Sequence, residues 1–353
     1  MRTGPGLESS CAVGSGKVGS SVCRSRWRVA SRTGVAVLTC TLTAHAPGLP
    51  EPGEPLGAAS GRRPGERLVL QLAEGVQVEL AWIPAGAFEM GSPKDEEGHD
   101  ANEGPRHAVR ITSGFWMMTT EVRQDQWEAM AGPNRSRFQD DPRKPVETVD
   151  WYEAVEFANR VTQAIVEARP DLGLKPTYEV VVEDRLQDGR ICDAAVSWNR
   201  ERRGFRLPTE AEWEYACRAG TSTPFHTGEL IASEQANFNG AHVYGEGEDG
   251  VYRGMSTVAG SFPANAWGLH DMHGNVSEWC WDRYDAEYYA SEAAANENQE
   301  RVDPIGPDRG AMRVIRGGSW VDGPWFVRSG YRTSLAPIMT FYNHGFRLVL
   351  DGE

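Results

Sequence analysis

Two stretches of the chain combine acidic, amide and glycine residues in a way that suits a hard cation. One is Asn237-Phe238 followed by residues 248–251 (EDGV), and the other is residues 271–278 (DMHGNVSE). Calcium takes about six to eight oxygen ligands from carboxylates, amides and main-chain carbonyls, and glycine lets the backbone curl around an ion. Because Asp, Asn and Gly also form turns without metal, turn formation is the alternative interpretation of the spacing.

A second candidate for chemistry is the aromatic stretch at residues 320–344 (WVDGPWFVRSGYRTSLAPIMTFYNH). Tryptophan and tyrosine rings stack on ligands and donate hydrogen bonds, and the interleaved Arg328 and Arg332 add cation–π and polar contacts. This pattern predicts a ligand-binding surface. The alternative is that the aromatic rings pack the end of the core and the arginines pair with nearby acids.

The strands that must position these stretches follow from alternation of apolar and polar residues. Arg67 to Trp82 is predicted to form a hairpin with its turn at Glu74-Gly75, and residues 107–111 and 115–118 are predicted to form a second strand pair. Short strands are expected again at residues 313–316 and 345–350. Most of the roughly ninety residues after Gly220 show no period, which is typical of a long loop region held by ions or kept for function.

Helical spacing predicts three helices. The first covers residues 123–130, the second begins at Asp150, and the third begins at Thr209 and ends at Gly220. The second and third start with capping boxes, in which the side chain of the cap and the side chain three residues later each bond the other's backbone amide.

Composition limits the class of protein. The net charge is −14, and residues 1–50 carry six Lys/Arg against one acid, so the rest of the chain is strongly acidic. An acidic body argues against binding nucleic acid through its phosphates. With 39 glycines and 21 prolines, much of the fold must be turn and loop. The chain lacks the long apolar run that a membrane-spanning helix requires.

The cysteines give little guidance. Of six, only Cys192, Cys217 and Cys280 lie in the body of the chain, and their spacing matches no common metal site. Cys217 is expected as a buried thiol on the inner face of the third helix. A disulfide from Cys192 to Cys217 or Cys280 is left open.

Residues 1–66 differ in composition from the rest and are predicted to form a disordered tail. Within them, four arginines precede residues 34–44 (GVAVLTCTLTA) and then Ala44-His-Ala46. This order of charge, apolar run and small residues is typical of an export signal. We therefore favour export to the periplasm or beyond the cell; the alternative is a cytoplasmic protein with a plain disordered tail or a start codon placed too far upstream.

Seven motifs recur in the order found in one protein family. They are Gly91-Ser92, Glu121-Val122 with Gln126-Trp127, Pro145-Val146 with residues 149–151 (VDW), residues 206–216 (RLPTEAEWEYA), residues 268–279 (GLHDMHGNVSEW), residues 316–319 (RGGS) and residues 345–347 (GFR). Together they resemble the sulfatase-modifying-factor family, whose type member is the formylglycine-generating enzyme. The resemblance spans roughly Trp82 to Leu350.

This resemblance implies an α+β fold, a variant of the C-type lectin fold with a twisted antiparallel sheet, a few helices and much irregular loop. It also implies two calcium ions. The first would be bound by the side chains of Asn237 and Asp249 and the carbonyls of Phe238 and Val251. The second would be bound by the side chains of Asp271 and Glu278 and the carbonyls of Gly274 and Val276.

The copper site of the family departs from its pattern in this chain. The formylglycine-generating enzyme oxidises a substrate cysteine with copper(I), which is held by two cysteines three and eight residues after the serine of the Gly-Gly-Ser motif. Here that serine is Ser319, and the two positions hold Asp322 and Val327. Copper(I) is a soft ion that prefers thiolate, so we expect neither copper binding nor formylglycine synthesis by the known mechanism. Ser277 stands where the family has a further pocket tryptophan.

For the aromatic stretch, the resemblance implies a position along the substrate groove. The predicted ligand contacts are therefore aromatic and basic side chains of this stretch, namely Trp320, Trp325, Arg328, Arg332 and Tyr342. Ser319 and Asp322 are the candidates for any catalytic role.

Other branches suggest alternatives. The chain has neither the His-x3-His-x-Glu motif nor the helical domain of the branch that resembles hercynine oxygenases. A further branch, resembling the pyoverdine-maturation proteins of the periplasm, also lacks the cysteine pair, and export would suit it. The aromatic stretch additionally resembles the variable region of lectin-fold proteins that are diversified by retroelements.

The sequence thus predicts a bacterial protein with a formylglycine-generating-enzyme-like domain at residues 67–353. We expect this domain to be stabilised by calcium and to bind a peptide or small-molecule ligand without copper chemistry. The alternatives are an oxidoreductase or maturation enzyme of the same family and a retroelement-diversified binding protein. The sequence predicts no nucleic-acid partner and no membrane span, and it leaves the ligand and the oligomeric state open.

Overall fold

The computed structural model describes residues 61–295 and 300–352, together with a short hairpin of β1 (Ala30–Ser31) and β2 (Gly34–Val35). The chain divides into two units, Met1–Gly48 and Leu49–Glu353. The predicted export signal lies outside the described residues apart from that hairpin, and the predicted boundary at residue 66 stays a prediction. Within the described residues, no helix is both long enough and apolar enough to span a membrane.

The second unit combines short strands with four helices in the part of the chain that is described. Its strands are β3 (Arg67–Ala73), β4 (Val76–Ile83), β5 (Gly86–Met90), β6 (His107–Ile111), β7 (Phe115–Met118), β8 (Tyr178–Arg185), β9 (Ile191–Trp198), β10 (Phe205–Arg206), β11 (Ser277–Arg283), β12 (Arg301–Val302), β13 (Arg313–Arg316), β14 (Thr333–Leu335), β15 (His344–Gly345) and β16 (Val349–Asp351). Its helices are α1 (Gln124–Ala131), α2 (Trp151–Ala168), α3 (Glu210–Arg218) and α4 (Tyr288–Ala295).

A five-stranded sheet in the order β10-β16-β7-β4-β3 lies between two hydrophobic clusters, because alternate residues of β4 and β7 belong to one cluster or the other. The predicted hairpin is confirmed: β3 and β4 are antiparallel, and Gly75 in the turn has a φ of 75°, a conformation that glycine adopts without a steric penalty. Leu68, Leu70 and Leu72 are buried while their neighbours are more exposed. The alternation of apolar and polar residues in β3 therefore corresponds to one buried and one more exposed face of that strand.

The second predicted strand pair is wrong in its pairing. Both strands exist at the predicted residues, but β6 pairs with β5 and β12, whereas β7 pairs with β4 and β16. The chain passes from one sheet to the other at Gly114, where a Cβ would clash with the ring of Trp82. Alternation identifies a strand but does not identify its partner, because the partner is set by long-range packing.

A four-stranded sheet in the order β14-β13-β11-β15 carries the candidate site. β11 follows the predicted cation loop directly and pairs with β13 and β15. It lies within the region predicted to lack periodicity, as does α4. Residues Ser277 to Cys280 are all buried, so this strand shows none of the alternation that would have revealed it.

The starts of the three predicted helices are confirmed to within a residue, whereas α3 ends at Arg218, short of the predicted Gly220. At the start of α2, Asp150 accepts a hydrogen bond from Glu153 N at 2.9 Å and Glu153 accepts one from Asp150 N at 3.0 Å. Thr209 and Glu212 form the same reciprocal pair at the start of α3. That helix ends with Ala219 in the left-handed region, one residue before Gly220.

The disulfide left open by the sequence is not formed. Cys192, Cys217 and Cys280 are free. Cys217 is buried as predicted, and its sulfur lies 3.6 Å from Ser329 Oγ and 3.7 Å from the carbonyl of Met272. Burial raises its pKa to about 12, so it is an unreactive core thiol.

Candidate functional site

The loop before β11 curls tightly because several of its residues adopt left-handed backbone conformations. Asp271, Gly274 and Asn275 have φ values of 57°, 100° and 62°. A Cβ on Gly274 would clash with the carbonyl of Asn237, so glycine is needed there. The same close approach lets Asn275 N donate to the Asn237 carbonyl at 2.7 Å. The two oxygen-rich stretches of the sequence therefore lie against each other.

Two carboxyl groups meet in the interior beside this loop. Glu121 is fully buried and Asp271 is 6% exposed, and Glu121 Oε2 and Asp271 Oδ1 have no hydrogen-bond partner. Burial raises the pKa of Glu121 well above its usual range, and the charge of Asp271 raises it further. Burial likewise raises the pKa of Asp271. Two buried carboxyls that face each other are stabilised either by a hydrogen bond between them, which needs a shared proton, or by a bound cation.

A third buried oxygen without a partner belongs to Asn237. Its Oδ1 has no hydrogen-bond partner, while its Nδ2 donates to the carbonyl of Met255 at 3.0 Å. Residues 238–240, which follow Asn237, lie beside the segment that contains the predicted ligand Val251. The contact is a hydrogen bond from Gly250 N to the Gly240 carbonyl at 2.6 Å. The Asp249 side chain is exposed.

Glu278, predicted as a ligand of the second ion, lies in a buried ion pair. Arg347 donates to both of its carboxylate oxygens at 2.7 Å, and Trp213 Nε1 donates to Oε2 at 2.9 Å. Among the described residues, no three His, Cys, Asp or Glu side chains converge as a metal-binding group. Among the buried oxygens without partners are those of Glu121, Asp271 and Asn237.

The aromatic cluster, defined as Phe138, Tyr252, Trp320 and Tyr342, lies near these loops. The Trp320 ring is 6.2 Å from the near-parallel ring of Tyr252, 5.9 Å from Tyr342 and 5.6 Å from Phe138. Trp320 is buried, whereas Tyr252 and Tyr342 are 44% and 39% exposed. The guanidinium of Arg137 lies over the Tyr342 ring at 4.7 Å. Such a surface can stack on a ligand and hydrogen-bond to it.

Ser319, Asp322 and Asn343 form a polar triplet. Ser319 and Asn343 are neighbours in sequence of Trp320 and Tyr342, which belong to the aromatic cluster. Ser319 Oγ donates to Asp322 Oδ2 at 2.6 Å, and Asn343 Nδ2 donates to Ser319 Oγ at 2.9 Å. Burial raises the pKa of Asp322, and the hydrogen bonds from Ser319 lower it in part. Ser319 is fully buried, and its hydroxyl orients the Asp322 carboxyl.

The residue eight positions after Ser319 is Val327, and it belongs to a small apolar cluster. This cluster consists of fully or nearly buried side chains: Phe225, Ile231, Ala236, Phe238, Tyr244 and Val327. The Val327 carbonyl accepts a hydrogen bond from His273 Nδ1 at 2.7 Å. Ser277, at the predicted pocket position, is also buried.

The remaining predicted ligand contacts do not join the aromatic cluster. Arg328 and Arg332 are buried in ion pairs with Glu103 and Glu210 at 2.7 Å. Trp325 Nε1 donates to Glu97 at 2.8 Å. Arg328 and Arg332 thus pair with acids, as the alternative interpretation of the sequence predicts. Of the predicted contacts, Trp320 and Tyr342 come together.

Helix α3 anchors three other segments of the chain through ion pairs of three buried glutamates. Glu210 binds Arg332, Glu212 binds Arg206, and Glu214 binds Arg316. Because all three ion pairs are largely buried, the arginines have little conformational freedom and hold their segments in defined positions.

Two cavities lie elsewhere on the domain. One of about 240 Å³ is bordered by Trp198, Arg206 and Asp351, and one of about 390 Å³ is bordered by Glu97 and Tyr244. None of the predicted site residues lines either cavity.

Comparison with known proteins identifies the domain. The model of the sulfatase-modifying factor enzyme 1-like domain matches residues 70–352. The chain belongs to the sulfatase-modifying factor family. This confirms the resemblance drawn from the seven motifs.

Relatives and solved structures agree with this family. The chain is 31% identical over 290 residues to the formylglycine-generating enzyme of Thermomonospora curvata, covering 76% of this chain and 92% of that protein. It is 31% identical over 222 residues to the chaperone protein LppX of Paenibacillus barcinonensis, covering 59% and 70%.

Two solved structures share the fold of this sulfatase-modifying factor family member. Treponema denticola variable protein 1 superposes with a TM-score of 0.66 at 25% identity, covering 81% of this chain and 99% of that one. PvdO from Pseudomonas aeruginosa superposes with a TM-score of 0.58 at 25% identity, covering 82% and 100%. The predicted α+β fold of the formylglycine-generating-enzyme type is confirmed.

Several residues of the site were not assigned a role from the sequence. They are Glu121, Asn275, Phe138 and Tyr252. Glu121 lies three residues after the end of a strand whose four residues are all buried, so an acid at this point was a signal that could have been used. Phe138 and Tyr252 had no such signal, because they are brought to Trp320 from distant loops.

Proposed function

We propose that this domain binds a peptide or small molecule at the aromatic cluster, is stabilised by two calcium ions, and lacks copper-dependent formylglycine synthesis. The observation that carries the binding proposal is the half-exposed pair Tyr252 and Tyr342 around buried Trp320. Exposed aromatic side chains that converge on one point are typical of ligand-binding surfaces.

Calcium is supported by three buried oxygens that have no hydrogen-bond partner. In the first site, Asn237 and Asp249 would supply side-chain oxygens, and Phe238 and Val251 would supply carbonyls. In the second, Asp271 would act with the carbonyls of Gly274 and Val276. We assign the remaining carboxylate of the second site to Glu121, because both oxygens of Glu278 already accept hydrogen bonds from Arg347. Bound calcium would neutralise the facing carboxylates and hold the loops in place.

The absence of copper chemistry rests on the two positions where the family has cysteines. Val327 offers no ligand and is fully buried among apolar side chains, and Asp322 offers a hard oxygen. Copper(I) is a soft ion and binds thiolate in preference to the side chain of either Val327 or Asp322.

A peptide assay tests this part of the proposal. Purified protein would be incubated with copper(I), oxygen and a Cys-x-Pro-x-Arg peptide, and the aldehyde would be sought by mass spectrometry and by reaction with a hydrazide. We expect no aldehyde, while the Thermomonospora curvata enzyme under the same conditions serves as the positive control. Aldehyde formation by this protein would overturn the claim.

A peptide-display selection tests binding at the cluster. We expect sequences to be enriched on the wild-type protein and not on the Tyr252→Ala/Tyr342→Ala variant. Phe326→Ala is the matched control, because Phe326 is exposed to a similar extent (41%) but contacts Tyr331 instead of the cluster. Equal enrichment on the double variant would rule out the cluster as the binding surface.

A second candidate function is a maturation enzyme of the same family. It is favoured by the likeness to PvdO over most of the chain and by the Ser319-Asp322-Asn343 triplet. A third, a diversified binding protein, is favoured by the likeness to the Treponema variable protein. A near-identical template copy beside a reverse-transcriptase gene would support the third, and a siderophore gene cluster would support the second.

A further inference from the structure

Asn275 lies between the two groups of oxygens proposed to bind calcium. Its side chain is fully buried. Its Oδ1 accepts hydrogen bonds from Asn237 Nδ2 at 3.1 Å and from Thr257 N at 2.9 Å. Its Nδ2 donates to Glu121 Oε1 at 3.0 Å. One amide therefore connects Asn237 in the first site with Glu121 in the second.

The orientation of this amide is fixed by its neighbours. If the group were flipped, the Asn275 NH2 would face two donors, Asn237 Nδ2 and Thr257 N, and its oxygen would face the oxygen of Glu121. The Asn275 amide accepts on one side and donates on the other, whereas an ionised aspartate at this position would offer acceptors alone.

The connection reaches the proposed ligand atoms directly. Asn237 uses its Nδ2 on Asn275 and presents Oδ1 without a partner, and Glu121 uses Oε1 on Asn275 and presents Oε2 without a partner. A cation at Asn237 Oδ1 polarises that amide and strengthens its donation to Asn275. A cation at Glu121 Oε2 fixes the position of that carboxylate and so keeps Oε1 in place to accept from Asn275 Nδ2.

We propose that Asn275 couples the two cation sites, so that binding of one calcium ion raises the affinity for the other. Each ion strengthens a hydrogen bond of the same side chain, so the two binding events share one hydrogen-bond network. This inference rests on the proposed calcium binding and adds to it a positioning residue that links the two sites.

Calcium titration of the full chain after removal of metal ions, followed by calorimetry, tests the coupling. We expect two ions per chain and a Hill coefficient above 1 for the wild type. Asn275→Gly removes the amide but keeps the left-handed backbone (φ 62°) and the main-chain bond from Trp320 N to the Asn275 carbonyl. In this variant we expect two independent, weaker sites with a Hill coefficient of about 1.

The matched control is Asn265→Gly. Asn265 is 5% exposed and bonds the carbonyl of Ala216 and the amide of Leu269, away from Asn237 and Glu121. It loses a similar set of buried hydrogen bonds, so its Tm should fall while its Hill coefficient stays at the wild-type value. An equal loss of cooperativity in this control would assign the effect to general destabilisation and overturn the coupling.

A further variant keeps the test valid if Asn275→Gly does not fold. Asp249 is exposed, so Asp249→Asn should fold normally while weakening the first site. Coupling predicts that the affinity of the ion that still binds falls about fivefold or more. An unchanged affinity at that site would overturn the coupling. Failure of the wild-type protein to bind any calcium would instead overturn the proposed function.

Discussion

Arg328 illustrates how this protein uses charge in its interior. The sequence predicts a ligand contact, but the guanidinium is fully buried and bonds Glu103 at 2.7 Å and Glu96 at 2.6 Å. The two acids lie more than 220 residues earlier in the chain. A buried guanidinium is stable only when its donors and charge are matched, so its function here is to hold a loop.

Arg328→Met should destabilise the domain strongly. The change leaves Glu103 buried without its cation, which costs about 3–5 kcal/mol. The free energy of unfolding would be measured by urea denaturation. Arg110→Met serves as the control, because its ion pair with Glu300 is partly exposed, at 52% and 26%, and should contribute about 1 kcal/mol or less. Equal losses in the two variants would contradict this prediction.

At the scale of an element, α2 depends on a cap that is also an ionisable group. Asp150 is fully buried and caps the helix by accepting from Glu153 N. Burial, and then the charge of Glu153, raise its pKa to about 7. The hydrogen bond from Glu153 N stabilises the start of the helix, but burial of the negative charge on ionised Asp150 destabilises the folded state.

Asp150→Asn should separate these two effects. The folded-state pKa lies above the unfolded value of about 4, so the native state binds the proton more tightly and the contribution of Asp150 to stability falls as pH rises from about 4 to 7. Asn keeps the capping acceptor and has no charge. We therefore expect the Tm of the Asn variant to rise relative to that of the wild type as the pH increases from 5 to 8.

Asp150→Ala is the matched comparison for the cap itself. It removes both charge and acceptor, and the loss of the cap should cost about 1 kcal/mol relative to Asp150→Asn at any pH in that range. A pH-independent difference between the Asn variant and the wild type would show that Asp150 does not titrate there.

At the scale of the whole molecule, irregular loops make up much of the domain and need support other than sheet and helix hydrogen bonds. Part of that support is a set of buried ion pairs that join α3 to Arg206, Arg316 and Arg332. The proposed calcium ions would supply another part around the loop of residues 271–276, because carboxyls with raised pKa values face each other there.

Chelation of calcium should therefore lower the thermal stability. Addition of EGTA to protein in saturating calcium should lower the Tm by about 5 °C or more, because binding to the native state alone contributes about 2.7 kcal/mol at a hundredfold excess over Kd. Readdition of calcium should restore the Tm, and Asp249→Ala should reduce the EGTA effect. An unchanged Tm would count against both sites.

Glu278→Ala is a poor probe of calcium by comparison. It leaves the buried Arg347 without its carboxylate, so we expect a lower Tm both with and without EGTA. Glu121→Gln is cleaner, because it keeps the acceptor for Asn275 while removing the charge that the cation would require. Its Tm should respond less to EGTA than that of the wild type.

Local patterns fixed the elements whose partners lie nearby in the chain. The β3–β4 hairpin follows from alternation and a turn glycine, and the starts of α2 and α3 follow from capping boxes, since these interactions span only a few residues. β11 escaped prediction because its first residues are buried on both faces, and the pairing of β6 with β7 failed because strand partners are chosen by tertiary packing.

The sequence by itself determined the family and the two oxygen-rich stretches, because ordered motifs and turn chemistry are local properties of the chain. Only the tertiary structure decided which oxygens have no hydrogen-bond partner and which arginines are internal. Glu121 and Asn275 are 154 residues apart, yet they share a hydrogen bond beside Asp271. Such a contact exists only after the sheets have packed, because burial and distance are properties of the folded chain.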